Sequence, residues 1–237
     1  MPKVFISGAT GYLGRPLTEA LTAAGCDVHA LTRPQSIRKL PVGCTPVPGN
    51  ALDAGTFLAA VPNRATYIHL TGVSHPSPAK AREFRDIDQV SFEASLAAAK
   101  AAQATHFIYV SVAHPAPVMH AYIAVRQTCE ARLTDSGLNA TILRPWYILG
   151  PGHRWPYALL PFYKLAERVP AWRESARRLA LVTRRQMLDA LTEATSNPPC
   201  GIRIVEASAI RNSSLGAVSA SPSFLSSTTR RPSAPSA

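Results

Sequence analysis

The stretch Val4-Phe-Ile-Ser-Gly-Ala-Thr-Gly-Tyr-Leu-Gly14 stands almost at the start of the chain and decides the fold. Four β-prone residues run into three glycines spaced GxxGxxG, and a helical pattern of apolar residues follows. Gly8 permits a tight turn, Gly11 lets the backbone approach a pyrophosphate, and Gly14 lets helix and strand pack closely. The free N–H groups at the start of such a helix bind phosphates. This stretch therefore predicts a dinucleotide-binding loop.

Short β-prone runs alternate with amphipathic stretches from this loop to about Gly150. The pattern predicts strands at 4–7, 28–32, 45–47, 66–70, 106–110 and 140–143, and helices at 13–24, 54–60, 84–102 and 122–136. Strands and helices that alternate at this spacing form a parallel sheet covered on both faces. We therefore predict an α/β protein with a doubly wound parallel sheet, whose dinucleotide-binding core occupies residues 1–150.

The pattern loosens beyond Gly150. Helices at 156–169 and 183–194 and a strand at 202–205 predict a small C-terminal substrate-side region, residues 151–211, that completes the fold. Residues 212–237 are rich in Ser, Pro, Thr and Ala and lack periodicity, which predicts a disordered tail. The sequence leaves open whether this tail is natural or an artefact.

Composition narrows the class of protein. The chain has 237 residues, 46% of them hydrophobic, which is enough for a buried core. It has no apolar run near the roughly 18 residues of a membrane helix, and its first residues already read as a strand rather than a signal peptide. The four dispersed cysteines suggest neither a disulfide framework nor a metal site. We expect a cytoplasmic protein with reduced thiols, no bound metal and no membrane contact.

The formal net charge of +11 raises the question of nucleic-acid binding. The excess is spread along the chain, without a dense Lys/Arg stripe or interleaved aromatic residues. This distribution argues against nucleic acid as a partner.

The glycine stretch is also the first of five segments that, in order, resemble the extended and atypical short-chain dehydrogenase/reductase families. Gly49-Asn-Ala-Leu-Asp53 resembles the GDxxD segment beside adenine, and His69-Leu-Thr-Gly72 resembles the HLAG segment along the nicotinamide ribose. Leu143-Arg-Pro145 and Gly150-Pro-Gly152 resemble the RP and GPG signatures. The resemblance spans roughly residues 3–207 and is nearest to the NAD(P)H-binding group with NmrA-like proteins. It implies a Rossmann-type fold.

The resemblance also implies which residues bind the cofactor. Asn50 stands where the family usually has Asp, and its amide oxygen could still accept a hydrogen bond from the adenine amino group. Besides the three glycines, the implied cofactor contacts are Thr10, Tyr12, Leu13, Asn50, Ala51, Leu52, Leu70, Thr71, Gly72, Ser111, Tyr122, Arg126 and Pro145.

The choice between NAD and NADP depends on the end of the second predicted strand. Arg33 stands there, about 20 residues beyond the glycine loop, and no acidic residue occupies that position. An Arg can pair with the 2′-phosphate of NADP, whereas an acidic residue would bind the 2′-hydroxyl of NAD. Arg38 and Lys39 lie nearby and could add charge. NADP(H) is therefore favoured over NAD(H), unless Arg33 is only a solvated surface residue.

The catalytic motif implied by the resemblance is altered. Active members have Tyr-x-x-x-Lys on the helix after the fifth strand, and this chain has Tyr122-Ile-Ala-Val-Arg126. Arg keeps the positive charge but cannot give up a proton. Val112 stands where the family often has its catalytic Ser, so Ser111 either substitutes for it or contacts the cofactor through its backbone. Tyr122 is either the proton donor or a packed aromatic residue.

Two functions fit these residues. The first is an NADP-dependent oxidoreductase or isomerase acting on a small carbonyl or sugar-like substrate, with Tyr122, Arg126 and Ser111 as catalytic residues. The second is a non-catalytic NADP(H)-binding sensor or assembly factor with a protein partner. Aromatic and basic residues from Trp146 to Trp155, with His114 and His120, could line a substrate pocket. The resemblance is also compatible with a homodimer.

Overall fold

The computed structural model describes residues 1–151 and 179–216. The strands in this part are β1 (Lys3–Ser7), β2 (Asp27–Thr32), β3 (Thr45–Pro48), β4 (Thr66–His69), β5 (His106–Val110), β6 (Ala140–Arg144), β7 (Ile148–Leu149), β8 (Val182–Thr183) and β9 (Ile202–Glu206). The helices are α1 (Gly14–Ala23), α2 (Ala81–Glu83), α3 (Val90–Ala101), α4 (His120–Asp135), α5 (Arg184–Ser196) and α6 (Ala207–Gly216). Within these residues, no helix combines the length and the apolar character needed to cross a bilayer.

Seven strands form one parallel sheet in the order β3-β2-β1-β4-β5-β6-β9. This confirms the predicted doubly wound fold. The chain moves outward from β1 to β3 and then returns to place β4 on the other side of β1. The carboxyl ends of β1 and β4 therefore border the crevice where such folds bind ligands.

The sheet separates two hydrophobic layers. Because side chains alternate along a strand, Phe5 points to one layer, while Val4 and Ile6 point to the other. The layer around Phe5 is covered by α3 and α4, and the opposite layer by α1, α5 and α6. Burying each large apolar side chain contributes about 1.5–3 kcal/mol, so these layers fix the strand ends that carry the site.

Two predicted helices differ in detail. The helix predicted at 84–102 begins earlier, at Ala81, and contains a π-helical segment, Phe84–Gln89, between α2 and α3. The helix predicted at 54–60 is instead two short 3₁₀ turns, Ala54–Thr56 and Leu58–Ala60. A segment this short gains too few hydrogen bonds to offset the cost of starting an α-helix.

The C-terminal part contains one unexpected pairing and one correction. Ile148–Leu149 and Val182–Thr183 form a small parallel sheet that the sequence did not predict. The predicted disordered tail begins too early, because the first five of residues 212–237 belong to α6. Ile210 is fully buried in this helix and anchors it. The helix predicted at 156–169 and residues 217–237 lie outside the described part.

Two histidines are buried in the sheet. His69 contacts the hydroxyls of Ser7 (3.1 Å) and Ser95 (2.9 Å) through Nδ1, and Nε2 of His106 is 2.9 Å from the Thr141 hydroxyl. Burial, with the charge of Arg126, lowers the pKa of His69 to about 3. Burial, with the charge of Arg203, lowers the pKa of His106 to about 4. Both imidazoles are therefore neutral in the folded protein near pH 7.

These histidines predict a loss of stability in mild acid. The unfolded chain binds protons at a pKa near 6.5, above both folded values, so stability is fully present above pH 6.5 and falls as pH drops towards 4. The free energy of unfolding should fall by roughly 4 kcal/mol between pH 7 and pH 5. Urea unfolding at several pH values measures this slope.

A matched pair of variants assigns the effect. His106→Gln should remove about half of the pH dependence and leave the part due to His69. His120→Gln, at an exposed position at the start of α4, should leave the slope unchanged. An identical slope in wild type and His106→Gln would show that burial of this imidazole does not govern acid stability.

Candidate functional site

A pocket of about 210 Å³ lies at the carboxyl edge of the sheet, in the crevice between β1 and β4. It joins the glycine loop, the segment after β4 and one face of α4. Its lining residues are Gly8, Gly11, Tyr12, Leu13, Gly14, His69, Leu70, Thr71, Gly72, Val73, Ser74, Val110, Tyr122 and Arg126. The structure thus brings together most of the predicted cofactor residues with two of the three predicted catalytic residues.

The glycine loop is packed tightly against backbone atoms, which leaves no room for side chains at Gly8 and Gly14. Gly8 has a φ of +81°, and a Cβ there would lie 2.7 Å from the backbone carbonyl carbon of Leu70. A Cβ at Gly14 would lie 2.0 Å from the carbonyl oxygen of Gly8. The N–H of Gly11 donates to that oxygen at 3.0 Å, and α1 begins directly afterwards. This cradle, with a helix N-terminus beside it, fits the pyrophosphate of a dinucleotide.

The predicted adenine side occupies the same sheet edge. Arg33 follows β2 and is exposed, and the N–H of Gly49 donates to the carbonyl oxygen of Thr32 at 3.0 Å. The Arg33 and Asn50 segments therefore lie side by side. The side-chain oxygen of Asn50 accepts from the N–H of Leu52 at 3.1 Å, so an adenine contact would need its second lone pair. Five residues predicted to bind the cofactor in the glycine loop and on the adenine side do not line the pocket: Thr10, Arg33, Asn50, Ala51 and Leu52.

Tyr122 and Arg126 face the pocket from the first turns of α4. The guanidinium carbon of Arg126 lies 4.8 Å from the centroid of the Tyr122 ring. Nη1 of Arg126 donates to the carbonyl oxygen of Val110 at 2.9 Å and to the hydroxyl of Tyr109 at 3.2 Å. Nε has no hydrogen-bond partner among the described residues, although it is buried. The i, i+4 spacing thus places a fixed cation against the tyrosine, as the motif requires.

Asp88 is the site residue that the sequence analysis missed. It lies in the π-helical segment, is 1% exposed, and forms an ion pair with Nη2 of Arg126. Its second oxygen accepts from the N–H of Val73 at 3.1 Å. A signal was present, because Asp88 interrupts the apolar spacing between Phe84 and Phe92, where a carboxylate is expected only with a partner. π-Helical segments often occur at functional sites.

The ion pair changes the electrostatics of the tyrosine. Burial raises the pKa of Tyr122, and the charge of Asp88 adds to this, whereas the charge of Arg126 opposes it; the net shift is upward. Burial likewise raises the pKa of Asp88, against the attraction of Arg126. Tyr122 is therefore protonated near neutral pH and suited to donate a proton rather than to accept one.

Ser111 does not face this pocket. Val110 lines it, and because side chains alternate at the end of β5, the next side chain points away. The N–H of Ser111 donates to the carbonyl oxygen of Leu143 at 2.8 Å. This placement differs from the expected substrate-facing hydroxyl. Pro145, also predicted at the site, accepts from the N–H of Ala113 at 2.9 Å and lies outside the lining.

A second buried ion pair lies behind Ser111. Arg144 donates to Glu130 from Nε at 3.1 Å, and its Nη1 donates to Glu206 at 3.0 Å. Burial raises the pKa of Glu130, but Arg144 and the Ser111 hydroxyl lower it by more than burial raises it. The pKa of Glu130 is therefore below its usual range. Nε2 of His114 is 3.5 Å from Glu130, so this ring turns towards the ion pair.

The other predicted substrate-side residues are only partly described. The rings of Trp146 and Tyr147 pack edge to face at 5.3 Å. His120 is exposed at the start of α4. Residues 153–155 lie outside the described part, as does Gly152 of the GPG segment.

Comparison with known proteins decides the family. Residues 8–158 match the model of a family described as NAD(P)H-binding, which is well over half of the chain. The chain belongs to this family. The match includes the glycine loop, the segment after β4 and both Tyr122 and Arg126, so the NAD(P)H-binding assignment and the pocket agree.

Two curated relatives of this NAD(P)H-binding protein are reductases by name. A ceramide reductase of Caulobacter vibrioides is 32% identical over 174 residues, covering 70% of this chain and 52% of the relative. The 4-hydroxy-2-methyl-3-oxo-4-farnesyl-3,4-dihydroquinoline-1-oxide ketoreductase of Stigmatella aurantiaca is 25% identical over 170 residues, covering 62% and 51%. The chain thus spans about half the length of each relative.

Solved structures share the fold. The WbmH enzyme of Bordetella bronchiseptica, in complex with NAD⁺, has 20% identity and a TM-score of 0.65 over 87% of this chain and 76% of its own. The UDP-glucose 4-epimerase of Thermus thermophilus, in complex with NAD, has 17% identity and a TM-score of 0.63 over 92% and 84%. At these identities the similarity establishes a Rossmann-type fold.

Proposed function

We propose that this protein is an NADP(H)-dependent reductase of a carbonyl compound. The observation that carries the proposal is the meeting of Tyr122 and Arg126 with the glycine loop around one pocket. A nucleotide held by the loop would then act on the carbonyl carbon of a substrate, and the proton donor on α4 would act on the oxygen of the same carbonyl group.

Each residue has a distinct role in this proposal. When bound, the nicotinamide supplies a hydride to the carbonyl carbon. The protonated Tyr122 hydroxyl donates its proton to the carbonyl oxygen as negative charge develops there. Arg126 would hold a hydroxyl of the nicotinamide ribose through a guanidinium N–H that its contacts with Tyr109, Val110 and Asp88 leave unused.

The proposed substrate is a carbonyl compound with an apolar chain. Both reductase relatives are named for molecules that carry long hydrocarbon groups, a ceramide and a farnesyl quinoline. A sugar-like substrate with an isomerase reaction is the alternative within the same fold. NADPH oxidation measured with a long-chain ketone tests the reductase. Product analysis after incubation with a nucleotide sugar tests the isomerase, because an isomerase returns the hydride and consumes no NADPH. An absence of turnover with every carbonyl compound tested would contradict the reductase proposal.

Arg33 supports NADP(H) over NAD(H), because it is exposed at the sheet edge where the adenine ribose would lie. Wild-type protein should bind NADPH at least tenfold more tightly than NADH. Arg33→Asp should weaken NADPH about a hundredfold by replacing an ion pair with a repulsion, and should change NADH affinity far less. Titration of NADPH and NADH fluorescence measures both affinities.

Arg64→Asp is the matched control, since Arg64 is exposed just before β4, at the opposite edge of the sheet, and carries the same charge change. It should preserve the preference for NADPH. If Arg33→Asp leaves both affinities unchanged, the NADP assignment is wrong.

A second candidate function follows from the ion pair of Arg126. Asp88 fixes Arg126, and an Arg cannot give up a proton to restore the Tyr122 hydroxyl, which suits a protein that binds NADP(H) without turnover. A pull-down with such a sensor would recover different amounts of a protein partner in the presence of NADP⁺ and of NADPH. Equal recovery in both states, together with measured carbonyl reduction, would exclude this candidate.

A further inference from the structure

Asp88 joins two parts of the pocket that are distant in sequence. One carboxylate oxygen pairs with Nη2 of Arg126 on α4, and the other accepts from the N–H of Val73 after β4. Both oxygens are therefore engaged, and the side chain is 1% exposed. A carboxylate in this setting fixes its partners relative to each other, because neither contact can be exchanged for water.

The Arg126 side chain is held from three directions. Besides Asp88, it contacts the carbonyl oxygen of Val110 and the hydroxyl of Tyr109, both at the end of β5. Its planar guanidinium thus has one orientation in which all these contacts are made. That orientation leaves the buried Nε–H without a partner among the described residues.

The segment after β4 lies directly on this ion pair. A Cβ at Gly72 would come within 2.9 Å of Oδ1 of Asp88 and 3.0 Å of Nη2 of Arg126. Thr71, Gly72 and Val73 all line the pocket. The ion pair is therefore the support beneath the part of the pocket farthest from the adenine side.

We propose that Asp88 is a positioning residue, which orients Arg126 and the segment Thr71–Val73 to receive the nicotinamide half of the cofactor. This inference rests on the proposed function, since it concerns the same site. It adds Asp88 to the residues of the binding site. It also divides the pocket into two halves that are positioned by different residues. The glycine loop and Arg33 serve the adenine and pyrophosphate half, and Asp88 acts through Arg126 on the other half.

The test compares a whole cofactor with its adenine half. Asp88→Asn removes the charge and leaves one acceptor oxygen for two donors, Nη2 of Arg126 and the N–H of Val73, so the two contacts cannot both be kept. NADPH affinity should fall at least tenfold, whereas affinity for 2′,5′-ADP, which lacks the nicotinamide half, should stay within about twofold. Equal loss for both ligands, or no loss for either, would overturn the proposal.

Two further variants separate positioning from stability. Glu130→Gln breaks the ion pair between Glu130 on α4 and Arg144 on β6, both outside the pocket lining. This variant should lower the thermal midpoint and leave NADPH affinity unchanged. Asp88→Glu keeps the charge but displaces Arg126, and should weaken NADPH at least fivefold even if Asp88→Asn does not fold. Wild-type affinity in Asp88→Glu would refute the positioning role.

The same measurements separate this inference from the proposed function. Wild-type protein that binds neither NADPH nor NADH would contradict both. Wild-type protein that binds NADPH but reduces no carbonyl would contradict the reductase proposal alone, because the affinity comparison needs no turnover.

Discussion

Tyr122→Phe is expected to lower NADPH-coupled carbonyl reduction at least a hundredfold while leaving NADPH affinity within about threefold. The hydroxyl is the proton donor in the proposed reaction, and general acid catalysis contributes about 10²–10⁴ in rate. The phenyl ring keeps its packing, because Tyr122 contacts Phe84 at 4.9 Å between ring centroids and carries the Arg126 guanidinium on its face. The variant therefore removes chemistry and preserves the pocket.

Tyr67→Phe is the matched control. It removes a tyrosine hydroxyl that is buried in the sheet and lies outside the pocket lining. Its turnover should equal that of wild type. Full turnover in Tyr122→Phe would show that another group delivers the proton, and it would return Tyr122 to the role of a packed aromatic residue.

Gly14→Ala is expected to weaken NADPH binding at least a hundredfold. The added methyl would lie 2.0 Å from the carbonyl oxygen of Gly8 and 2.8 Å from Cα of Ala9, and both neighbours are backbone. Helix α1 must therefore move away from the loop, which displaces the N–H groups that bind the pyrophosphate. Overpacking of this kind also destabilises a protein by about 1–3 kcal/mol. Fluorescence titration and thermal unfolding measure the two effects separately.

Gly137→Ala controls for the loss of stability. Gly137 has a φ of +75°, so alanine is strained there, but a Cβ would meet nothing within 4 Å and the position is remote from the pocket. This variant should lose about 1 kcal/mol of stability and keep wild-type NADPH affinity. If Gly14→Ala retained that affinity too, the close packing at the loop would not be needed for cofactor binding.

The fold was predictable because its signals are local. The β-prone run before Gly8, the glycine spacing and the alternation of strands with helices all act within short stretches of chain. The family resemblance also implied that Gly8, Leu70 and Tyr122 would contact one cofactor, and the parallel sheet brings all three to the same edge. The NAD(P)H-binding assignment follows from these features, and the family match confirms it.

The errors of detail occur where a local pattern competes with tertiary contacts. Residues 212–216 have a composition typical of disorder, but the burial of Ile210 against the sheet keeps the helix intact. Ser111 was expected either to substitute for the catalytic serine or to contact the cofactor through its backbone, yet it lies outside the pocket that its neighbour Val110 lines.

The sequence by itself therefore determined the alternation of strands and helices, the glycine loop and the presence of a Tyr–Arg pair on one helix face. Only the tertiary structure decided what that arginine does. Asp88 is 38 residues from Arg126 along the chain, and no periodicity links a residue in a π-helical segment to one on α4. A buried charge is stable only beside an opposite charge. The packing of the π-helical segment and α4 on the sheet determines that Asp88 and Arg126 lie next to each other.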